Sequence, residues 1–378
     1  MKFVKVKPFL VERFMGEYEH NVELNIAETC VKPFTLGEFL EFVGEPDFLE
    51  KIKDLQLTYG YVEGLPELKK GLSGFYKNVK PDTIFTTHGA IDANFQVFYS
   101  LVESGDTVIS IFPTYQQLYS VPESFGAKIK LWHLHEENNW MPDLDELNEL
   151  VDKKTKLIVV NSPNNPTGAL LDEKMLRGIT EIAEDANAYV LNDESYRGLY
   201  INPEDWVPSI VDISDRAIAT NSFSKPLSLT GLRLGWIATS SEEVAKELTL
   251  HRDYTTISIS LLIEKLAALA IEHAEKIYER NLKILRKNFK LLEEWIKEEP
   301  LVDWVPPKAG TVAFLRYNLE IPSEELAIRL IKEKSTFLVP GSCFGIENHL
   351  RIGYGNPVDV MIEGLKRFKE FLDSWRQN

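Results

Sequence analysis

The chain is poor in cysteine. Among 378 residues only Cys30 and Cys343 carry thiols, and they lie far apart in sequence. That leaves no disulfide framework, and two sulfurs cannot form a zinc site without histidine help. His133 and His135 alternate with apolar neighbours and have no ligand partners at a metal-binding spacing, so no metal is expected. Long apolar runs are missing as well, and no stretch approaches the about 20 residues that a membrane helix requires. The N-terminus carries Lys2, Lys5, Lys7, Glu12 and Arg13 without an apolar core or small-residue cleavage site. Positive charge is in deficit: 42 Lys and Arg against 58 Asp and Glu give a formal net charge of −16. A nucleic-acid backbone or an anionic membrane would be repelled. The expectation is a reduced, cytoplasmic protein that binds neither nucleic acid nor membrane.

Common catalytic templates are absent too. The chain has no Gly-x-Gly-x-x-Gly, no Walker loop and no Gly-x-Ser-x-Gly elbow. Cys343, in Gly341-Ser342-Cys343-Phe344-Gly345, has no local histidine base and reads as a buried inert thiol.

What is present is an ordinary globular balance, 44% hydrophobic and 26% charged, in a chain long enough for more than one domain. Between about residues 83 and 238, short β-rich runs alternate with helical stretches. The runs are Thr83–Thr86, Thr107–Ile111, Lys128–Trp132, Lys156–Val160, Tyr189–Asn192, Ala217–Thr220 and Leu234–Ala238. Such alternation predicts an α/β fold: three layers, with a mainly parallel seven-stranded sheet between helices. Later, Leu282, Leu285, Phe289, Leu292 and Ile296 repeat as one helix face requires, and so do Met361, Leu365, Phe368, Leu372 and Trp375. Strands at Thr311–Arg316 and Phe337–Pro340 lie between these stripes, which predicts a smaller α+β domain. The expected division is an N-terminal arm and part of the small domain at 1–44, a large domain at 45–270 and a C-terminal small domain at 271–378. The arm is read as holding a short strand and a helix.

Polar clusters follow the β runs directly, where ligands sit in sheets of this kind. Gly89-Ala90 opens a helix beginning near Ile91 and offers free N–H groups to an anion. Tyr115, after Pro113-Thr114, can present a flat ring. In Asn161-Ser162-Pro163-Asn164-Asn165-Pro166-Thr167-Gly168, two polar-residue–Pro steps fix Asn165 in a rigid turn. Asp193 closes a strand, either as an active-site acid or as a helix cap, and Tyr196 follows three residues on. The stretch around which these gather is Asn221-Ser222-Phe223-Ser224-Lys225-Pro226, with Arg233 eight residues after the lysine. A lysine whose pKa is depressed attacks carbonyls, and a guanidinium beside small hydroxyls suits a phosphate. Pyridoxal 5′-phosphate carries both an aldehyde and a phosphate.

Taken in order, Tyr59-Gly60-Tyr61-Val62-Glu63-Gly64, Asn165-Pro166-Thr167-Gly168, Asp193-Glu194-Ser195-Tyr196, Ser222-Phe223-Ser224-Lys225, Arg233 and Arg351-Ile352-Gly353 resemble the class I/II aminotransferases. These are pyridoxal-phosphate enzymes of fold type I, and the resemblance covers nearly the whole chain. It implies a Schiff base on Lys225, Asp193 against the pyridine nitrogen, Tyr196 and Asn165 on the ring hydroxyl, and Tyr115 on the ring face. Gly89, Ala90, Ile91, Ser222, Ser224 and Arg233 would hold the phosphate, with Tyr59 reaching in from the other subunit of a homodimer. Were Tyr59 simply a loop aromatic, it would pack on its own subunit. Arg351, Asn165, Ala27 and Glu28 would line the substrate side, where an L-amino acid and a 2-oxo acid exchange an amino group.

The stretch Asn25-Ile26-Ala27-Glu28-Thr29-Cys30-Val31-Lys32-Pro33 departs from the glycine-containing segment of many relatives. It is similar to a subgroup that includes capreomycidine synthase-type enzymes, which use the cofactor for elimination and cyclisation. Glu28 is the candidate acid for such a lyase or cyclase, although a surface or hinge carboxylate is the preferred reading. A non-catalytic cofactor-binding protein is the remaining alternative, and intact Lys225, Asp193 and Arg351 argue against it.

Overall fold

A computed structural model describes residues 5–376, so Lys2 lies outside it. Seven strands form the main sheet, in the spatial order Ile84–Thr87, Gly235–Thr239, Ala217–Ser222, Tyr189–Asp193, Thr155–Asn161, Thr107–Phe112, Lys128–His133. The last five run parallel, and Gly235–Thr239 is antiparallel to both its neighbours. The strand cores are continuous apolar runs because both faces are covered. Successive side chains point to opposite faces. Ile158, Val160 and Val190 therefore join the core on one side, with Leu176 and Ile179 of the helix Glu173–Asp185. Leu157, Val159 and Leu191 join the core on the other, with Val97 and Phe98 of the helix Gly89–Leu101.

The antiparallel strand matters for the site. Its register pairs Gly235 with Ser222 on one side and with Thr87 on the other. The turn after Ser222, the residues before Gly235 and the start of the helix after Thr87 are thereby brought to one edge.

A second, antiparallel sheet has the order Val339–Pro340, His349–Gly353, Val312–Tyr317, Val302–Trp304. The helices Ala274–Glu298 and Val358–Arg376 carry the apolar stripes seen in the sequence. Two expectations need correction. The strand Phe337–Pro340 is split: Thr336–Phe337 pairs in parallel with Leu24–Asn25, while Val339–Pro340 pairs with Arg351 and Leu350. The arm also holds a helix before its strand, Leu10–Tyr18, followed by the helix Leu36–Val43. The first was hard to read because Phe9 at its N-cap supplies no capping side chain, whereas Thr35 and Glu38 cap the second reciprocally. Among the described residues no helix is long and apolar enough to cross a membrane.

Candidate active site

The strand ends meet in one cleft of about 710 Å³. Asn161 lies in register with Asp193, and Asp193 with Thr220, so three consecutive strands deliver polar side chains side by side. Asp193 is buried and is followed by a turn, not a helix, which removes the capping role. Its Oδ2 accepts from Asn94 Nδ2 at 2.8 Å and its Oδ1 from the Ser195 N–H at 3.0 Å. Burial raises its pKa, against those hydrogen bonds and the charge of Lys225. Asn94 is itself fixed, since Thr220 Oγ1 donates to its Oδ1 at 2.6 Å. A charge held this way in a poor solvent will be neutralised most readily by a cation placed beside it.

Lys225 lies in the turn after Ala217–Ser222 and reaches Thr29 Oγ1 and, at 3.4 Å, Cys30 Sγ. Burial opposes its charge, but the acidic side chains around it, Glu28 among them, outweigh that and hold the amine above the usual lysine range. Burial pushes the Cys30 thiol and the Tyr196 phenol up as well, so Glu28 is the anion of that set at neutral pH. Burial likewise works to raise Glu28, yet Lys225 and hydrogen bonds from the Cys30 and Thr29 segment bring it below its ordinary value. The acidic surroundings thus raise the pKa of Lys225, where the sequence reading expected a depressed one.

Arg351 lies on the strand His349–Gly353 and is 1% exposed. Its guanidinium donates to Asn165 Oδ1 and to the Ala27 carbonyl, each at 3.2 Å, and its Nε has no partner. Asn165 is held in turn by its N–H bond to Asn161 Oδ1 at 2.8 Å. Tyr196 and Tyr115 line the same cleft, and Tyr115 donates its hydroxyl to Glu12 Oε1 at 2.7 Å. At the other end, Ser222, Ser224, Ala90, Ile91 and Arg233 line the wall. Gly89 has φ +80°, and a Cβ there would lie 3.1 Å from an Arg233 nitrogen, so only glycine lets the helix start sit so close to that cation.

Two sequence readings change. Glu28 is a cleft residue and not a surface or hinge carboxylate, because Gly353 lets the strand of Arg351 press against its backbone. Tyr59 is 80% exposed and does not pack on its own subunit; it stands outside this cleft, in a groove of about 530 Å³ with Leu57, Ile259 and Leu262. Cys343 is buried, with its thiol pushed up to about 12. Sequence reasoning missed Glu12, Thr29, Cys30 and Asn94. For Asn94 one signal was available, a polar residue in the apolar stripe of the helix Gly89–Leu101.

The family model for aminotransferase class I and II matches residues 45–368. The chain belongs to this family. Its members are pyridoxal-phosphate-dependent enzymes, and pyridoxal 5′-phosphate is the cofactor. A solved PLP-dependent aminotransferase from Streptococcus suis is similar, with TM-score 0.95 and 40% identity over 98% of each chain. Capreomycidine synthase of Streptomyces vinaceus is 30% identical over 96% of this chain and 93% of that protein. Aspartate aminotransferase of Pyrococcus horikoshii is 31% identical over 88% of this chain and 90% of that one. The residues in the cleft fit an aminotransferase cofactor: a buried carboxylate for a ring cation, a lysine for an aldehyde, and helix-start N–H groups beside Arg233 for a phosphate.

Proposed function

We propose that this aminotransferase moves the amino group of an L-amino acid to a 2-oxo acid, with Lys225 as the cofactor lysine. The observation that carries the reading is that Lys225, the buried Asp193 carboxylate and Arg351 open into one cleft. When bound, pyridoxal phosphate supplies an aldehyde for the amino group and a ring that accepts the electrons of the Cα–H bond. Asp193, fixed by Asn94 and Ser195, would keep a proton on the ring nitrogen. Tyr196 and Asn165 would hold the ring hydroxyl, and Tyr115 would cover the ring face. Gly89, Ala90 and Ile91, through their backbone, would hold the phosphate with Ser222, Ser224 and Arg233. Arg351, positioned by Asn165 and Ala27, takes the substrate carboxylate through its unpaired Nε and remaining protons, which orients the Cα–H bond. The Lys225 amine would then take the proton from Cα and deliver it two atoms away, across the nitrogen, to the former aldehyde carbon.

The active unit in this reading is a homodimer. Leu57, Tyr59, Tyr254 and Ile257 are large side chains between 49% and 90% exposed, which suits burial against a second copy. Tyr59 would then complete the phosphate site of the partner.

Glu28 favours a second reading, elimination or cyclisation, because its carboxylate lies in the cleft under the influence of Lys225. A half-reaction screen separates the two. Each amino acid is added to the loaded enzyme without an acceptor, and products are identified by mass. One equivalent of the matching 2-oxo acid per active site supports transfer. Continuous release of ammonia, a thiol or a cyclised amino acid, lost in Glu28→Gln, contradicts it.

A further inference from the structure

Two side chains meet the Lys225 amine, and a third holds one of them. Thr29 and Cys30 come from the N-terminal segment, and Thr230 from the turn that also carries the lysine. Lys225 Nζ donates to Thr29 Oγ1 and lies 3.4 Å from Cys30 Sγ. Thr230 Oγ1 is 2.8 Å from the same sulfur and 3.1 Å from the Ser224 carbonyl.

A threonine hydroxyl has one proton, so both of the last contacts cannot be donations from Thr230. Thr230 Oγ1 donates to Cys30 Sγ, the neutral thiol has the Glu28 carboxylate as the acceptor for its S–H, and a sulfur lone pair accepts from Lys225. Cys30 is 3% exposed and burial pushes its thiol up, which keeps it in that protonated form.

The segment is braced well enough to act as a fixed point. Glu28 Oε1 accepts the N–H groups of Thr29 at 2.7 Å and Cys30 at 3.0 Å. Thr311 Oγ1 donates to the Thr29 carbonyl at 2.7 Å, and the Lys32 N–H to the Gly355 carbonyl at 2.8 Å. Thr311 and Gly355 flank the paired strands Val312–Tyr317 and His349–Gly353, so the second sheet fixes the segment.

We propose that Cys30, together with Thr29 and Thr230, is a docking point for the Lys225 amine when that amine is free of cofactor, and that Cys30 is a positioning residue for the proton transfer. This rests on the reading of Lys225 as the cofactor lysine. The choice of sulfur has a physical reason. A carboxylate at that distance would trap the ammonium ion in a strong charge-assisted bond, whereas a thiol is a weak acceptor. The amine is held in place yet is free to leave with a proton.

The test uses Cys30→Ala, with Cys30→Ser as the conservative control, because a serine hydroxyl also accepts from the amine and from Thr230. In cofactor-free protein, reductive methylation of Lys225 is followed against pH by mass spectrometry of the peptide. An acceptor stabilises the ammonium form, so Cys30→Ala is expected to lower the midpoint by about half a unit to one unit, the scale of one modest hydrogen bond. In loaded enzyme kcat is expected to fall about five- to tenfold, with KM within about twofold, since a bond of that size is lost from the positioned base alone. Cys30→Ser restores both quantities. An unmoved midpoint in Cys30→Ala overturns the proposal, and so does a serine variant that behaves like the alanine one. Borohydride reduction of loaded wild-type protein separates the two layers. Trapping on Lys225 with an unmoved midpoint defeats the docking point alone, and absence of trapping on Lys225 defeats the underlying reading.

Discussion

The cleft has two walls of different construction. On one, Asn161, Asp193, Ser222 and Lys225 stand at or just past the ends of adjacent strands, within a span of 65 residues, and register alone sets their spacing. On the other, Glu12 lies on an N-terminal helix, Glu28, Thr29 and Cys30 in an irregular segment, and Arg351 on a strand of the second sheet. The first wall is a by-product of a parallel sheet, and any ligand it binds is fixed by local chemistry. The second exists only when both ends of the chain have docked, through contacts such as the Gly353 N–H to the Ile26 carbonyl at 2.8 Å. In the proposed function, the first wall serves the cofactor and the second serves the substrate, and Thr29 and Cys30 touch the first wall at Lys225.

That separation can be broken by substitution. Asp193→Asn on the sheet wall is expected to have the largest effect, a loss of about 10²- to 10³-fold in kcat, the scale of removing one preorganised electrostatic group. The loss should be the same for every amino acid tested in steady-state assays. Unequal losses would mean that the sheet wall also selects substrate.

Arg351→Lys on the other wall is expected to lower kcat/KM by about 10- to 100-fold, because a hydrogen bond to a charged group contributes about 1.5–3 kcal/mol. The loss should appear mainly in KM, and cofactor retention on gel filtration should not change. Loss of cofactor from this variant would show that the walls are coupled.

Tyr59→Phe sharpens the comparison from outside the protomer. Its expected effect is a roughly fivefold weaker hold on the cofactor, the value of one ordinary hydrogen bond, read by equilibrium dialysis. The wild-type protein should sediment as a dimer, and a monomer that keeps full activity would contradict the shared site.

The smallest effect is expected away from both walls. Asp152 is held at about 2, first by its hydrogen bond with Lys130, whose Nζ lies 2.8 Å away. Its folded pKa lies below the ordinary 3.8, so it stabilises the protein above that value and the contribution disappears as pH falls through about 2. Acid unfolding of Asp152→Asn should therefore differ from wild type at neutral pH and converge with it near the acid end, without a change in kcat.

The same contrast explains what the sequence made legible. The sheet wall could be read because each β run was followed at once by its polar cluster: Asp193 by Tyr196, Ser222 by Lys225. Apolar runs such as Leu157 to Val160 announce a strand covered on both faces, and the runs between 83 and 238 all became strands, with no end shifted by more than two residues. The substrate wall was legible only in part. Arg351 came from a resemblance, since nothing local distinguishes it from a surface arginine. Glu28 looked like a surface carboxylate because its burial depends on Gly353, more than three hundred residues later. Cys30 and Thr29 gave no signal, for their partner is Lys225, and linear spacing does not report a contact across that distance. Glu12 was lost with its helix, whose first turn has no capping residue.

The central claim is that Lys225 carries the chemistry of this cleft. Pyridoxal phosphate is bound to the purified protein, reduced with borohydride and located by peptide mass spectrometry. The expected result is one equivalent of reduced cofactor per chain, on the peptide that contains Lys225, and none in Lys225→Ala. Cofactor fixed to any other lysine, or turnover that survives in Lys225→Ala, would contradict the account.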